Sequence, residues 1–139
     1  SPDELVEATA ENVDFIGADE LKASIEAHEQ FYLIDCRETE EFDSACIKAA
    51  TNIPRGVLEG SMSEKAPKHR QEVIIYCSNG ARSTLAAATL AKLKYSNVKV
   101  LEGGFNNFKS KFPELIELNP VRGGETNKTP AKPSGGCGG

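Results

Sequence analysis

A cysteine that closes an apolar run, with an arginine five positions later, is a spacing that can support nucleophilic sulfur chemistry. Val73-Ile74-Ile75-Tyr76-Cys77 is followed by Ser78, Asn79, Gly80, Ala81 and Arg82, and then by a helix-favouring stretch from Ser83. The four small residues let the backbone curl so that its N–H groups converge, and Gly80 is free to take a positive φ. The start of a helix adds partial positive charge and Arg82 a full one. All three effects favour thiolate over thiol, which makes Cys77 a candidate nucleophile cradled by residues 78–83. The competing reading is a core thiol that ends a buried strand, as free cysteines often do. A core strand needs neither four small residues nor an arginine before a helix, and the nucleophile is the stronger reading.

The elements that must hold this loop follow from the apolar periodicity. Asp14-Phe15-Ile16 reads as a short strand, and Asp19 as the cap of a helix that carries Leu21 and Ile25 and ends near His28. Phe31 to Asp35 is an apolar run of strand length, Thr39 to Phe42 a short helical turn, and Ile53-Pro54 the close of an extended piece. Val73 to Tyr76 is β-branched and apolar on both faces, which suits a strand covered by helices on both sides. Ser83 to Lys94 is helical, with Ala86, Leu90 and Leu93 on one face. Val98 to Leu101 is a last strand and Phe105 to Lys111 a last helix. Strand and helix alternate, so the fold class is α/β with a mainly parallel sheet. In such a layer ligands bind beyond the carboxyl ends of the strands, where Cys77 stands.

The chain has 139 residues, enough for one domain. Residues 1–12 read as a mobile acidic stretch, 13–118 as the domain, and 119–139 as a flexible tail with almost nothing to bury. No apolar run is long enough to span a membrane. The net charge of −5 is uneven: residues 1–45 carry 14 acidic and 2 basic side chains, leaving +7 for the part that holds Cys77. A local positive field there suits small anions, and the overall acidity argues against nucleic acid as a partner. Cys36, Cys46, Cys77 and Cys137 form no C-x-x-C pair, and His28 and His69 are far from all of them, so no structural zinc site is expected.

Leu33-Ile34-Asp35-Cys36-Arg37 with Glu41-Phe42, Ala50 to Pro54, Val73 to Ser83 and Leu101 to Phe105 occur in one order at ordinary spacing. Together these motifs resemble a single-domain rhodanese over roughly residues 14–113. The resemblance implies a five-stranded mainly parallel sheet flanked by helices, with Cys77 to Arg82 as the active-site loop. It implies a sulfurtransferase in which Cys77 attacks thiosulfate or polysulfide, becomes a persulfide and passes the sulfur to cyanide or a thiol. No metal or organic cofactor is implied. The N–H groups of Ser78, Asn79, Gly80, Ala81, Arg82 and Ser83 hold the sulfur and the donor's charge in this reading, and Arg82 neutralises the anion. Phosphatases and arsenate reductases of the same fold use C-x5-R around a tetrahedral oxyanion; the shorter C-x4-R here favours sulfur.

Around that centre, Asp35 and Arg37 are expected to serve the fold. Arg55 is a candidate second cation at the pocket mouth, against the alternative of an ordinary surface arginine. Where many rhodaneses read G-H-I-P-G-A-x-N-I-P, this chain has Ala45 to Pro54, with Cys46 at the usual His and Ala49 at a usual Gly. That departure bears on local packing, and Cys46 reads as a buried inert thiol rather than a resolving partner for Cys77.

The tail ends Gly135-Gly136-Cys137-Gly138-Gly139. This end resembles the C-terminal arm of the sulfur-carrier subunit of bacterial thiosulfate-oxidising systems. A tether of roughly 20 flexible residues reaches about 25 Å, enough for Cys137 to exchange sulfur with Cys77 or with a partner. A second function class follows from it: a sulfur carrier that works mainly through protein partners. A third, a catalytically idle recognition module, is disfavoured by the intact cysteine and arginine. Free thiols lean towards the cytoplasm, whereas such a tail leans towards the periplasm if a signal peptide has been removed.

Overall fold

The apolar pattern places a strand before almost every helix, and the computed structural model, which describes residues 13–120, follows it. The expected mobile stretch at 1–12 and the expected tail, apart from Asn119 and Pro120, lie outside the described residues. Strand β1 (Asp14–Ile16) leads to α1 (Ala18–Glu26), β2 (Tyr32–Asp35), α2 (Thr39–Ser44), β3 (Ala45–Ile47) and β4 (Thr51–Asn52). A 3-10 turn at Arg55–Val57 runs into α3 (Leu58–Lys65). Then come β5 (Val73–Tyr76), α4 (Ala81–Lys92), β6 (Val98–Leu101), α5 (Gly104–Lys111), a second 3-10 turn (Pro113–Leu115) and β7 (Ile116–Leu118).

Five strands form one sheet in the order β1-β6-β5-β2-β4, and all of its pairings are parallel. The expected α/β class is therefore what the chain adopts. β3 and β7 pair antiparallel in a separate two-stranded ribbon. β5 lies between β6 and β2, and its four residues are all buried. Its side chains alternate between two cores. Ile74 and Tyr76 join Leu33, Phe42 and Phe105 on one face, while Val73 and Ile75 join Ile34, Met62, Ala86 and Leu90 on the other. Burial on both faces explains why the run is apolar throughout rather than alternating.

Three local readings change. The first helix starts at Ala18 behind Gly17, and the capping carboxylate is Glu20, whose Oε1 accepts from the Gly17 N–H at 3.0 Å. Asp19 sits inside the first turn. The helix expected from Ser83 begins two residues earlier, at Ala81, because Gly80 takes φ 109° and turns the loop directly into the helix. Ala49, at the family's usual glycine position, keeps a positive φ of 74°. An L-residue there carries about 1–2 kcal/mol of strain.

The carboxyl end of β2 is fixed by a buried ion pair. Arg37 Nη2 donates to Asp35 Oδ2 at 2.7 Å and Arg37 Nε to Oδ1 at 3.0 Å, and Nη2 also donates to the Ala45 carbonyl. The guanidinium lies over the Phe105 ring at 4.0 Å. Asn52 Nδ2 donates to the carbonyls of Asp35 and Arg37. The residue between them, Cys36, is held on both sides. Removing one partner leaves a buried carboxylate uncompensated. Arg37→Ala is accordingly expected to lower unfolding free energy by about 3–5 kcal/mol in urea titration; a loss below about 1 kcal/mol, as for a surface pair, would contradict this role.

Candidate active site

The strand that carries the chain into the site ends at Tyr76, so Cys77 is the first residue beyond the carboxyl end of the central strand. Its sulfur is met from the loop and from the first turn of α4. The Gly80 N–H donates to Sγ at 3.1 Å and the Ser83 N–H at 3.3 Å. Ser83 Oγ is hydrogen-bonded to Sγ at 3.4 Å and lies 3.2 Å from the Gly80 carbonyl. That carbonyl already receives the Thr84 hydroxyl at 2.8 Å and the Thr84 N–H at 3.1 Å. Ser83 Oγ donates to that carbonyl and accepts from Sγ while Cys77 is a thiol; with Thr84 also serving Gly80, its proton is free to turn to the sulfur once Cys77 is a thiolate.

Cys36 supplies a further contact. The β2–β5 ladder pairs Asp35 with Tyr76, and the Cys36 N–H continues it by donating to the Tyr76 carbonyl at 2.9 Å. Cys36 and Cys77 thus sit side by side at adjacent strand ends, both fully buried and both in the same core cluster. Hydrogen bonding from the neighbouring Cys36 thiol is the largest influence drawing the Cys77 thiol down from the ordinary range to about 4. Burial opposes that shift, while the Ser83 hydroxyl and the amides of Ser83 and Gly80 reinforce it. The same bond, burial and the neighbouring charge push the Cys36 thiol up. The pair therefore divides its roles: Cys77 holds the charge and Cys36 holds the proton.

The thiolate is enclosed by the protein on every side. Cys77 has no solvent exposure. The start of α5 closes over the loop: the Phe105 N–H donates to the Cys77 carbonyl at 2.8 Å and the Asn106 N–H to the Ser78 carbonyl at 3.1 Å. Gly104, at φ 65°, permits this approach, since a Cβ there would stand 2.6 Å from the Ser78 carbonyl oxygen.

Arg82 lies in the first turn of α4 with its Nη2 3.8 Å from Glu41 Oε1. Glu41 Oε2 also accepts from Ser78 Oγ at 3.3 Å, and Oε1 from the Glu38 N–H at 2.9 Å. The loop therefore meets both a cation and a carboxylate brought by α2. Asn79 is exposed, and with Gly80 it lines a cavity of about 570 Å³ that extends to Phe15, Glu102 and Gly103. Arg55 lines a different cavity, about 440 Å³, with Glu59 and Thr89, while its backbone N–H donates to the Cys36 carbonyl at 3.3 Å. Cys46 is buried in β3 within the opposite core cluster, and it is disulfide-bonded rather than the inert free thiol that the sequence suggested. Cys137 lies outside the described residues.

Cys36, Glu41 and Gly104 are the neighbours that sequence reasoning did not assign to the site. Only strand pairing brings Cys36 across to Cys77. Among the described residues no helix is long and apolar enough to cross a membrane, and no group of His, Cys, Asp and Glu is placed to hold a metal ion.

Comparison with known proteins places this geometry in context. The model of the rhodanese-like domain family matches residues 17–111. A sulfurtransferase of Allochromatium vinosum is 36% identical over 92 residues, which cover 66% of this chain and 84% of that protein. A Bacillus subtilis protein named as a candidate sulfur carrier is 28% identical over 102 residues, 73% of this chain and 54% of its own length. The crystal structure of a thiosulfate sulfurtransferase from Pseudomonas aeruginosa matches with a TM-score of 0.67 at 25% identity, covering 71% of this chain and 19% of that one. The chain spans 54% to 63% of the length of several curated relatives it matches.

If the Cys36 thiol is the main support of the Cys77 charge, its removal must be visible in the titration of Cys77. Cys36→Ala is expected to move the pH midpoint of Cys77 alkylation, followed by peptide mass spectrometry, upward by about one unit or more. An unchanged midpoint would assign the charge to the amides alone.

Proposed function

The chain belongs to the rhodanese-like domain family, and from that premise we propose that it moves sulfane sulfur from thiosulfate or polysulfide to a thiol or cyanide through a persulfide on Cys77. The observation that carries this reading is the convergence of the Gly80 and Ser83 amides and the Ser83 hydroxyl on one buried sulfur. Such donors lower the energy of a thiolate and of the anionic outer sulfur that replaces it. Sequence relatives that include a sulfurtransferase and a candidate sulfur carrier support the same chemistry.

In the proposed first step the Cys77 thiolate attacks the outer sulfur of thiosulfate. An S–S bond forms to Cys77, the donor's own S–S bond breaks with its electron pair, and sulfite leaves. Arg82 offsets the donor's charge as it approaches, exchanging its contact with Glu41 for the anion. In the second step an acceptor thiolate or cyanide attacks the outer sulfur and regenerates the Cys77 thiolate. Ser78 and Asn79, at the rim of the loop, form the approach to the enclosed sulfur, while Arg55 meets the site only through its backbone N–H on the Cys36 carbonyl. Neither step needs a cofactor. The C-x4-R loop also supports sulfur over the oxyanion chemistry of phosphatases and arsenate reductases.

This assignment is tested by measuring thiocyanate formation from thiosulfate and cyanide beside sulfur transfer from polysulfide to a dithiol. Cys77→Ser, with its circular dichroism unchanged, is expected to lose all transfer in both assays; retained transfer would sink the assignment.

The Gly-Gly-Cys-Gly-Gly ending favours a second reading in which Cys137 takes sulfur from Cys77, or delivers it, and the protein acts chiefly as a carrier towards protein partners. After loading with thiosulfate or polysulfide, peptide mass spectrometry of the full chain should find sulfane sulfur on Cys137. Its absence there, together with normal transfer to protein acceptors by Cys137→Ser, would leave the enzyme reading standing alone.

A further inference from the structure

A persulfide has two sulfurs, and the transfer proposed above uses only the outer one. The inner sulfur, Cys77 Sγ, has no exposure in the structure, and in the persulfide the outer sulfur stands between it and the approach that donors use. One thiol stands beside it in the protein. Cys36 continues the β2–β5 ladder to the position beside Cys77, and both side chains lie in the same core cluster on one face of the sheet. Adjacent strands lie about 4.8 Å apart, within the range of about 4.4–6.8 Å that a disulfide spans between Cα atoms. Both residues are free thiols in the structure. The strand spacing is thus compatible with a bridge between them. The Asp35–Arg37 clamp and the Arg55 N–H on the Cys36 carbonyl hold that alignment.

We propose that Cys36 is a resolving thiol that attacks the inner sulfur of the Cys77 persulfide, so that the domain also reduces sulfane sulfur to sulfide. The step rests on the persulfide reading above. An S–S bond forms between Cys36 Sγ and Cys77 Sγ, and the bond from Cys77 Sγ to the outer sulfur breaks with its electron pair on the outer sulfur. The proton that Cys36 holds goes to that sulfur, which leaves as hydrosulfide. The sulfane sulfur gains two electrons, and the two cysteine sulfurs are oxidised to a disulfide. An external dithiol then reduces the disulfide by thiol exchange and restores the pair.

The two fates compete for one intermediate. An acceptor that reaches the outer sulfur takes it as sulfane sulfur, and without an acceptor Cys36 discharges it as sulfide. Cys46 has no comparable placement, since it packs in the cluster on the other face of the sheet.

The test uses the full chain, loaded with polysulfide, freed of excess donor and held anaerobically without acceptor or reductant. Sulfide is measured against time, and disulfide-linked peptides are mapped without reduction. The expected result is release of sulfide in step with loss of sulfur from Cys77 and appearance of a Cys36–Cys77 linked peptide. Cys36→Ser and Cys36→Ala, once loaded, should keep sulfur on Cys77 and release sulfide at least about tenfold more slowly. Equal release by loaded wild type and both variants, or a linkage from Cys77 to any cysteine other than Cys36, would overturn the resolving role while leaving the persulfide intact. Failure of Cys77 to acquire sulfur at all would overturn the persulfide reading and this inference with it. The linked-peptide map is made on the wild type, so a variant that fails to fold does not remove the test.

Discussion

A charged sulfur with no exposure to water can exist only where hydrogen-bond donors replace the water it has lost. Burying an unpaired anion costs several kcal/mol, and the rest of the site can be understood as the means of avoiding that cost. β5 carries Cys77 to the carboxyl end of the sheet, Gly80 turns the loop through a positive φ, and α4 begins at once, so that two amides and the Ser83 hydroxyl face one atom. The fourth donor comes from outside this segment, by way of the parallel register between β2 and β5. The active cysteine is therefore a property of two strands rather than of one loop.

That dependence gives the buried Asp35–Arg37 pair its meaning. It brings neither group to the sulfur. It fixes the last turn of backbone after β2, and with Asn52 it holds Cys36 in line with Cys77. The strand order extends the same constraint to the whole molecule, since β5 and β2 are neighbours near the middle of the five-stranded sheet. On the other side of the loop, Gly104 lets α5 press its first amides onto the Cys77 and Ser78 carbonyls. The sulfur is dry because both neighbours close on it.

Much of this was legible in the chain. Val73 to Tyr76 announces a strand covered on both faces, and Ser78 to Arg82 announces a curled loop before a helix, because those signals are local in sequence. The α/β alternation gave the sheet its class for the same reason. What escaped was set by pairing between distant segments. Nothing near Cys36 distinguishes it from a core cysteine until β2 is laid against β5. Glu41 enters only when α2 is placed over the loop, and Gly104 only when α5 docks. The β3–β7 ribbon and α3 were missed because they are short and their sequences lack strong periodicity. Gly80 was legible as a residue free to take a positive φ, but reading the helix from Ser83 rather than Ala81 set Arg82 before the helix instead of within its first turn.

The most direct test of the account is the charge on Cys77 itself. Thiolate ultraviolet absorbance of the wild type, corrected by the same titration of Cys77→Ser, reports that charge as the pH is lowered. The account predicts that the difference signal persists through neutrality and falls with a midpoint of about 4. A midpoint in the ordinary thiol range, about 8.5, would show a neutral buried thiol and contradict it.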